Sequence, residues 1–232
     1  GVPIVREDVD RPRRLVRDSD AGVRITGQAG GWDWSVAYLY HYDDRPVAPA
    51  QLESGTAGPR LRVSPRYERT HLLGGSGSNA FGDLVVRTEI AWLSDRFLPT
   101  RDPADLDGIA DASELGSVIG LDWFGFRDSL VSFQVFQSWL LDDRDGLYRD
   151  TLDTNLTLLA RREFWNERLR LEAIWIHNVN DADGVLRPRV RYELRDDLAI
   201  WSGIDVFYGR SRGIFGQFDR SDRWVIGFEW AP

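Results

Sequence analysis

Arg223-Trp224-Val225-Ile226-Gly227-Phe228-Glu229-Trp230, near the end of the chain, places Trp224, Ile226, Phe228 and Trp230 on one side of an extended backbone. Arg223, Val225, Gly227 and Glu229 fall on the other side, because successive side chains of a strand point to opposite faces. The period is two, so the stretch predicts a strand with one bulky apolar face and one mixed polar face. Strands that divide lipid from a polar interior carry this pattern.

The same alternation recurs along the chain. Residues 21–29 set Val23, Ile25 and Gly27 against Arg24, Thr26 and Gln28, and Gly30-Gly31 supplies a tight turn. Residues 32–42 gather Trp32, Trp34, Val36, Tyr38, Tyr40 and Tyr42 on one face, more aromatics than a soluble hairpin needs. Trp and Tyr settle at the membrane–water interface, where ring and polar tip are both satisfied. Trp32, Trp34, Tyr38 and Tyr40, with Trp92, Trp175, Tyr208, Trp224 and Trp230, are therefore the expected aromatic girdle.

Further strands are predicted at 66–74 and 81–94 (with a turn at 74–79), 115–126, 130–141, 151–164, 168–178, 185–194, 198–209 and 223–230. Pro188 is a mark against the strand it sits in, since proline gives no ladder donor. Long polar stretches at 43–65, 95–114, 142–150 and 210–221 alternate with short turns. The fold class expected is an all-β, antiparallel, up-and-down transmembrane β-barrel with short periplasmic turns and long outer loops. Eleven strands are legible, and the even number usual in such barrels suggests about twelve. Residues 1–20 read as a loop or trimmed segment that holds one short strand at 2–6 if there is a twelfth, and 21–232 as the barrel.

Composition narrows the function classes. Hydrophobic residues make up 42% and charged residues 28% of the 232, with a mean hydropathy of -0.37, values a barrel can show while still facing lipid. No run approaches the roughly 18 apolar residues of a membrane-spanning helix. With no cysteine there is no disulfide framework and no thiolate site, and all 29 basic residues are arginine. A net charge of -8 argues against nucleic acid as a partner. Gly1 is not a natural start, which points to processing or trimming.

The sharpest chemical feature is a row of arginines: Arg168 and Arg170 on one predicted strand, Arg187, Arg189 and Arg191 on its hairpin partner. Alternate spacing sends them to one face together with Glu172 and Glu193. Facing lipid near mid-membrane, each would cost ~2–4 kcal/mol, so they belong to the lumen. Arg87, Glu89 and Asp205 are lumen residues by the same alternation, and Asp153, Glu163 and Glu229 are further carboxylate partners. Two roles are open: a positive constriction that selects anions or orients a solute, or a network of ion pairs that fills and rigidifies a narrow interior.

Sites for covalent or metal chemistry are not evident. Gly75-Ser76-Gly77-Ser78 reads as a flexible turn, not a nucleophile elbow. His41, His71 and His177 show no metal-ligand spacing, and Asp105, Asp107, Gly108, Asp111 and Glu114 match a calcium loop only after Pro103, which cannot coordinate through its side chain. No enzyme activity, catalytic residue, metal or cofactor is expected.

The stretches 19–43, 69–95 and 201–230 resemble the C-terminal part of a porin-like, uncharacterised Gram-negative outer-membrane β-barrel family associated with RND-type exporters. The aromatic near the chain end resembles the closing strand of such barrels, although Ala231 and Pro232 follow it. The resemblance implies outer-membrane location, lipid or detergent as partner, and passage of hydrophobic compounds. The expected function is a pore for passive passage of small solutes. Its rivals are a plugged structural or ligand-binding barrel, and a soluble barrel whose aromatic faces point inward.

Overall fold

A computed structural model describes residues 2–14, 16–55, 58–142 and 146–231. The strands are β1 (Ile4–Arg6), β2 (Ala21–Ala29), β3 (Trp32–Tyr42), β4 (Ala50–Gly55), β5 (Gly58–Val63), β6 (Arg69–Phe81) and β7 (Leu84–Pro99). They continue as β8 (Ile109–Trp123), β9 (Ser129–Leu140), β10 (Leu152–Phe164), β11 (Leu169–Asn178), β12 (Asp183–Arg195), β13 (Leu198–Tyr208) and β14 (Arg223–Trp230). Among the described residues the only helical element is a 3-10 turn at Gly216–Phe218. Eleven strands, β2, β3 and β6 to β14, form one antiparallel sheet in which each pairs with its neighbours in chain order.

Period-two alternation becomes two faces because the register keeps like beside like. Val23, Tyr38, Leu73, Trp92, Leu115, Trp139 and Leu152 lie side by side across seven strands, one apolar row of the outer face. On the opposite face Thr26, Ser35, Ser76 and Glu89 begin a row that ends at Asn155, Asn178 and Asp183. Exposure runs opposite to that of a water-soluble sheet. Ile90 and Ile119, on strands with neighbours on both sides, are 52% and 56% exposed, whereas Asp122 and Asp205 are 4% and 1% exposed. The polar face is the sheltered one because the sheet curls around it. Arg24 on β2 and Asn155 on β10 border the same cavity of about 510 Å³.

The connections of more than five residues all lie at one end of the sheet, together with the four-residue turn 179–182. Short turns at 30–31, 82–83, 124–128, 165–168 and 196–197 lie at one end of the sheet, and 43–68, 100–108, 141–151, 179–182 and 209–222 lie at the other. The second end is tied together by charge: Arg96 pairs with Asp43 at 2.8 Å and Glu114 at 3.0 Å, and Arg149 reaches Glu114 at 3.5 Å.

Several expectations change. The turn expected at 74–79 is strand, and β6 runs through it to turn at Gly82, whose φ of 62° suits glycine. The loop expected at 43–65 contains the β4–β5 hairpin, which β1 joins in parallel to make a separate three-stranded sheet. The short strand at Ile4–Arg6 therefore adds nothing to the eleven-stranded sheet. The loop expected at 95–114 shrinks to 100–108 because β7 and β8 continue past an irregularity between Leu93 and Arg96. The loop at 142–150 is described apart from 143–145, and Gly1 lies outside the described residues. Pro188 sits inside β12; Arg187 and Pro188 make no bridge pairs with β13, while the register holds on both sides.

Among the described residues β2 and β14 each pair on one side only, which leaves the sheet two edges. An odd number of strands in a meander leaves both edges running the same way.

Candidate functional site

The polar face of β10 to β14 is built in rows, each one strand-pair deep. The first row is Arg187 on β12, Asp205 on β13 and Arg223 on β14. Asp205 is buried, and its two carboxylate oxygens each accept from one guanidinium: Arg187 Nε donates to Oδ1 and Arg223 Nε to Oδ2, both at 2.8 Å. A buried carboxylate needs such partners, since an unpaired one would carry its full desolvation cost.

The second row is Arg161, Glu172 and Arg189, in register across β10, β11 and β12. Arg189 lies over the Trp201 ring at 5.0 Å and reaches Asp205 only at 4.0 Å; its Nε is buried with no partner. The third row is Glu163, Arg170 and Arg191. Arg170 Nε donates to Glu163 at 2.8 Å, and Arg191 bonds to Glu193 and, at 3.2 Å, to Glu229. Each row sets two arginines against one carboxylate, and Asp153, Asp183, Glu193 and Glu229 on the same face balance the excess. Glu193 and Glu229 close this wall at the short-turn end.

On β2, β3 and β6 to β9 the polar face gathers small residues around a cavity, beside Arg24, Glu89 and Phe136. Ser35, Ala37, Gly74, Ser76, Ala91, Gly116 and Ser138 border the 510 Å³ cavity. Arg87 pairs with Asp122 near its short-turn end, and the Ser35 and Ser76 hydroxyls meet at 2.7 Å. Short side chains leave room at this level of the polar face.

At the long-loop end a folded-back segment covers part of the polar face. Asp183, fully buried, accepts from the backbone N–H groups of Phe215 at 2.7 Å and Gly216 at 2.9 Å. Phe218 of the same segment packs on Phe207, ring centroids 5.7 Å apart. Asn178, the register partner of Asp183, donates to Asp153 at 2.7 Å and Asn155 at 3.0 Å.

Arg87, Glu89, Arg170, Glu172, Arg187, Arg189, Arg191, Glu193 and Asp205 all lie on the polar face. Arg168 does not join them: β11 begins at Leu169, and Arg168 is exposed in the preceding turn, its carbonyl accepting from Glu193 N–H. Arg161 and Arg223 belong to the wall but were not among the site residues expected, although the alternation of their strands already points them inward. Asp153 is a partner of asparagines, not of the arginines.

Trp32, Trp34, Tyr38, Tyr40, Trp92, Trp175, Tyr208, Trp224 and Trp230 all lie on the apolar face. Tyr40, Trp175, Tyr208 and Trp224 stand toward the long-loop ends of their strands, Trp32 and Trp230 at the short-turn ends, and Trp92 mid-strand. His71 and His177 join the outer rings: Tyr38 OH lies 2.7 Å from His71 Nδ1, and Trp175 Nε1 donates to Tyr208 OH at 2.7 Å beside His177. His41 lies on the other face, its Nδ1 2.7 Å from the Tyr42 carbonyl. Asp105 and Asp107 stay in the 100–108 connection, whereas Asp111 and Glu114 are on β8.

No protein-family model matches this chain, and a search of the curated proteins found no match.

Proposed function

We propose that the chain forms an outer-membrane β-barrel pore for passive passage of small solutes, with the arginine rows lining its lumen. The observation that carries this reading is the inverted exposure of the sheet: aliphatic side chains outward across eleven strands, carboxylates such as Asp205 sheltered within. Lipid satisfies such an outer face and water does not. On β3, Trp32 and Tyr42 are ten residues apart, roughly 33 Å along the strand, or ~25 Å after a ~40° tilt, the height of a barrel's apolar band. A soluble barrel needs the aromatics turned inward, against the exposures observed. The porin-like family that the sequence resembles is the source of the outer-membrane location.

Closure of the sheet is part of the proposal. β2 and β14 run the same way, so they close either as a parallel seam or around a further strand that runs opposite to both. The three rows, where two arginines meet one carboxylate at each level, are the part of the lumen that would give the pore an anion preference. A plugged, non-conducting barrel is the second reading, and the folded-back segment anchored on Asp183 is the observation that favours it.

Conductance in a planar bilayer separates the two. The wild-type chain, refolded from detergent, is expected to give steady channels that favour anions. The triple variant Arg187→Ala/Arg189→Ala/Arg191→Ala should keep the channels and lose most of that preference. A refolded, heat-modifiable protein that conducts nothing leaves the plugged reading standing.

A further inference from the structure

The outer face of β9 to β14 is not evenly filled. A cavity of about 650 Å³ opens there, along a row formed by Val131, Ala160, Ala173 and Pro188 and continued by Ile204 and Trp224. Three neighbouring strands carry Ala, Ala and Pro at this level. The flanking rows are tall: Leu158, Trp175 and Leu186 on the long-loop side, Arg162, Leu171 and Val190 on the short-turn side. The result is a trough between two banks. Of the two hydroxyls beside it, Ser202 Oγ accepts from Trp224 Nε1 at 2.7 Å and Ser129 Oγ donates to the Phe126 carbonyl at 2.7 Å, so both are already engaged.

The trough is also inclined. Ala160 lies near the short-turn end of β10, whereas Trp224 lies near the long-loop end of β14. Four strand-to-strand steps of about 4.8 Å make it roughly 19 Å long from β10 to β14. That suits an acyl chain slanting through one leaflet of a hydrocarbon core ~30 Å thick.

Its lower end is charged. Arg162 is exposed on the outer face, rests on the Phe164 ring at 5.0 Å and makes no ion pair among the described residues. A guanidinium beside lipid at a barrel rim seeks an anion, and phosphate oxygens match its fork.

We propose that this trough binds one anionic phospholipid from the leaflet on the short-turn side, its phosphate on Arg162 and one acyl chain along Ala160, Ala173 and Pro188. The inference rests on the membrane reading above. An apolar trough alone would accept any hydrocarbon; the unpaired arginine at its end selects the headgroup.

Native mass spectrometry of the detergent-refolded protein, with phosphatidylglycerol and phosphatidylcholine added in equal amounts, tests it. The wild type is expected to retain one phosphatidylglycerol about tenfold over phosphatidylcholine. Arg162→Gln should lower that ratio to near one, and Arg162→Lys should restore part of it. Ala173→Leu, which fills the trough, should abolish retention while leaving heat-modifiable migration intact. Equal retention of both lipids by the wild type, or undiminished retention in Ala173→Leu, overturns the inference. A folded protein that retains no phosphatidylglycerol overturns it alone; a chain that is soluble and folded without detergent overturns the membrane reading with it.

Discussion

The polar face has two walls that hold together by different physics. On β10 to β14 long charged side chains brace one another, with Asp205 clamped between Arg187 and Arg223. On the thin wall, β2, β3 and β6 to β9, small residues gather around the 510 Å³ cavity beside Arg24 and Glu89, and Ser35 meets Ser76 through one neutral hydrogen bond at 2.7 Å. Charge needs length to reach its partners, and length fills space. A lumen lined with arginine all round would be blocked by its own side chains, whereas arginines concentrated on β10 to β14 leave room beside the small residues around the cavity. On the proposed pore reading, the difference would give selectivity to one region and bore to the other.

The clamp should give the largest effect. Asp205→Ala leaves Arg187 and Arg223 side by side with no carboxylate between them. The loss should be about 3 kcal/mol, the low end for stripping a partner from a buried pair, since the arginines stay partly hydrated. Arg187 keeps 37% of its side-chain surface exposed and Arg223 61%. Urea unfolding in detergent, followed by tryptophan fluorescence, measures it. An Asp205→Ala midpoint equal to that of the wild type would mean that the charged wall is not held by its ion pairs.

The thin wall should be more sensitive in conductance than in stability. Gly116 borders the cavity, and a Cβ placed there would meet only the Ala91 carbonyl, at 3.7 Å. A β-carbon at Gly116 therefore meets no backbone clash, and the ring of Gly116→Phe would project into the cavity. Conductance is expected to fall severalfold with ion preference unchanged, the reverse of the arginine triple variant. A Gly116→Phe channel as conductive as the wild type would move the bore away from this cavity.

The two walls were unequally legible in sequence. Alternation located β2, β3 and β14 to the residue, because Trp, Tyr, Ile and Arg declare which face they occupy. Gly74-Gly75-Ser76-Gly77-Ser78-Asn79 declares neither face, so a strand that forms the thin wall reads as a turn. The ends of β7 and β8 were hidden for another reason: the slip between Leu93 and Arg96 shifts the period by one, and alternation on one side no longer continues on the other. The arginine row was plain from spacing, but clamping by Arg223 depends on which strands become neighbours. The trough was invisible as well, since Ala160, Ala173 and Pro188 meet only through register.

Ser35 and Ser76 should give the smallest effect, and it separates the walls most cleanly. Ser35 is 7% exposed, and its hydroxyl also accepts from Arg24 Nη2 at 3.2 Å. Ser35→Ala removes the bond to Ser76 and the long one from Arg24 and leaves both partners to find water in the cavity, a loss of about 1 kcal/mol. Ser35→Ala/Ser76→Ala should cost no more than the single change, because replacing both partners leaves no orphaned hydroxyl. The charged wall cannot be relieved this way: in Arg187→Leu/Asp205→Leu, Arg223 still lacks its carboxylate, so the double variant should remain well below the wild type. Urea midpoints for these variants at constant m-value test the contrast. If the serine double variant lost the sum of two single changes, or the Arg187/Asp205 pair recovered on double replacement, the two walls would be stabilised alike and the division of selectivity from bore would lose its structural basis.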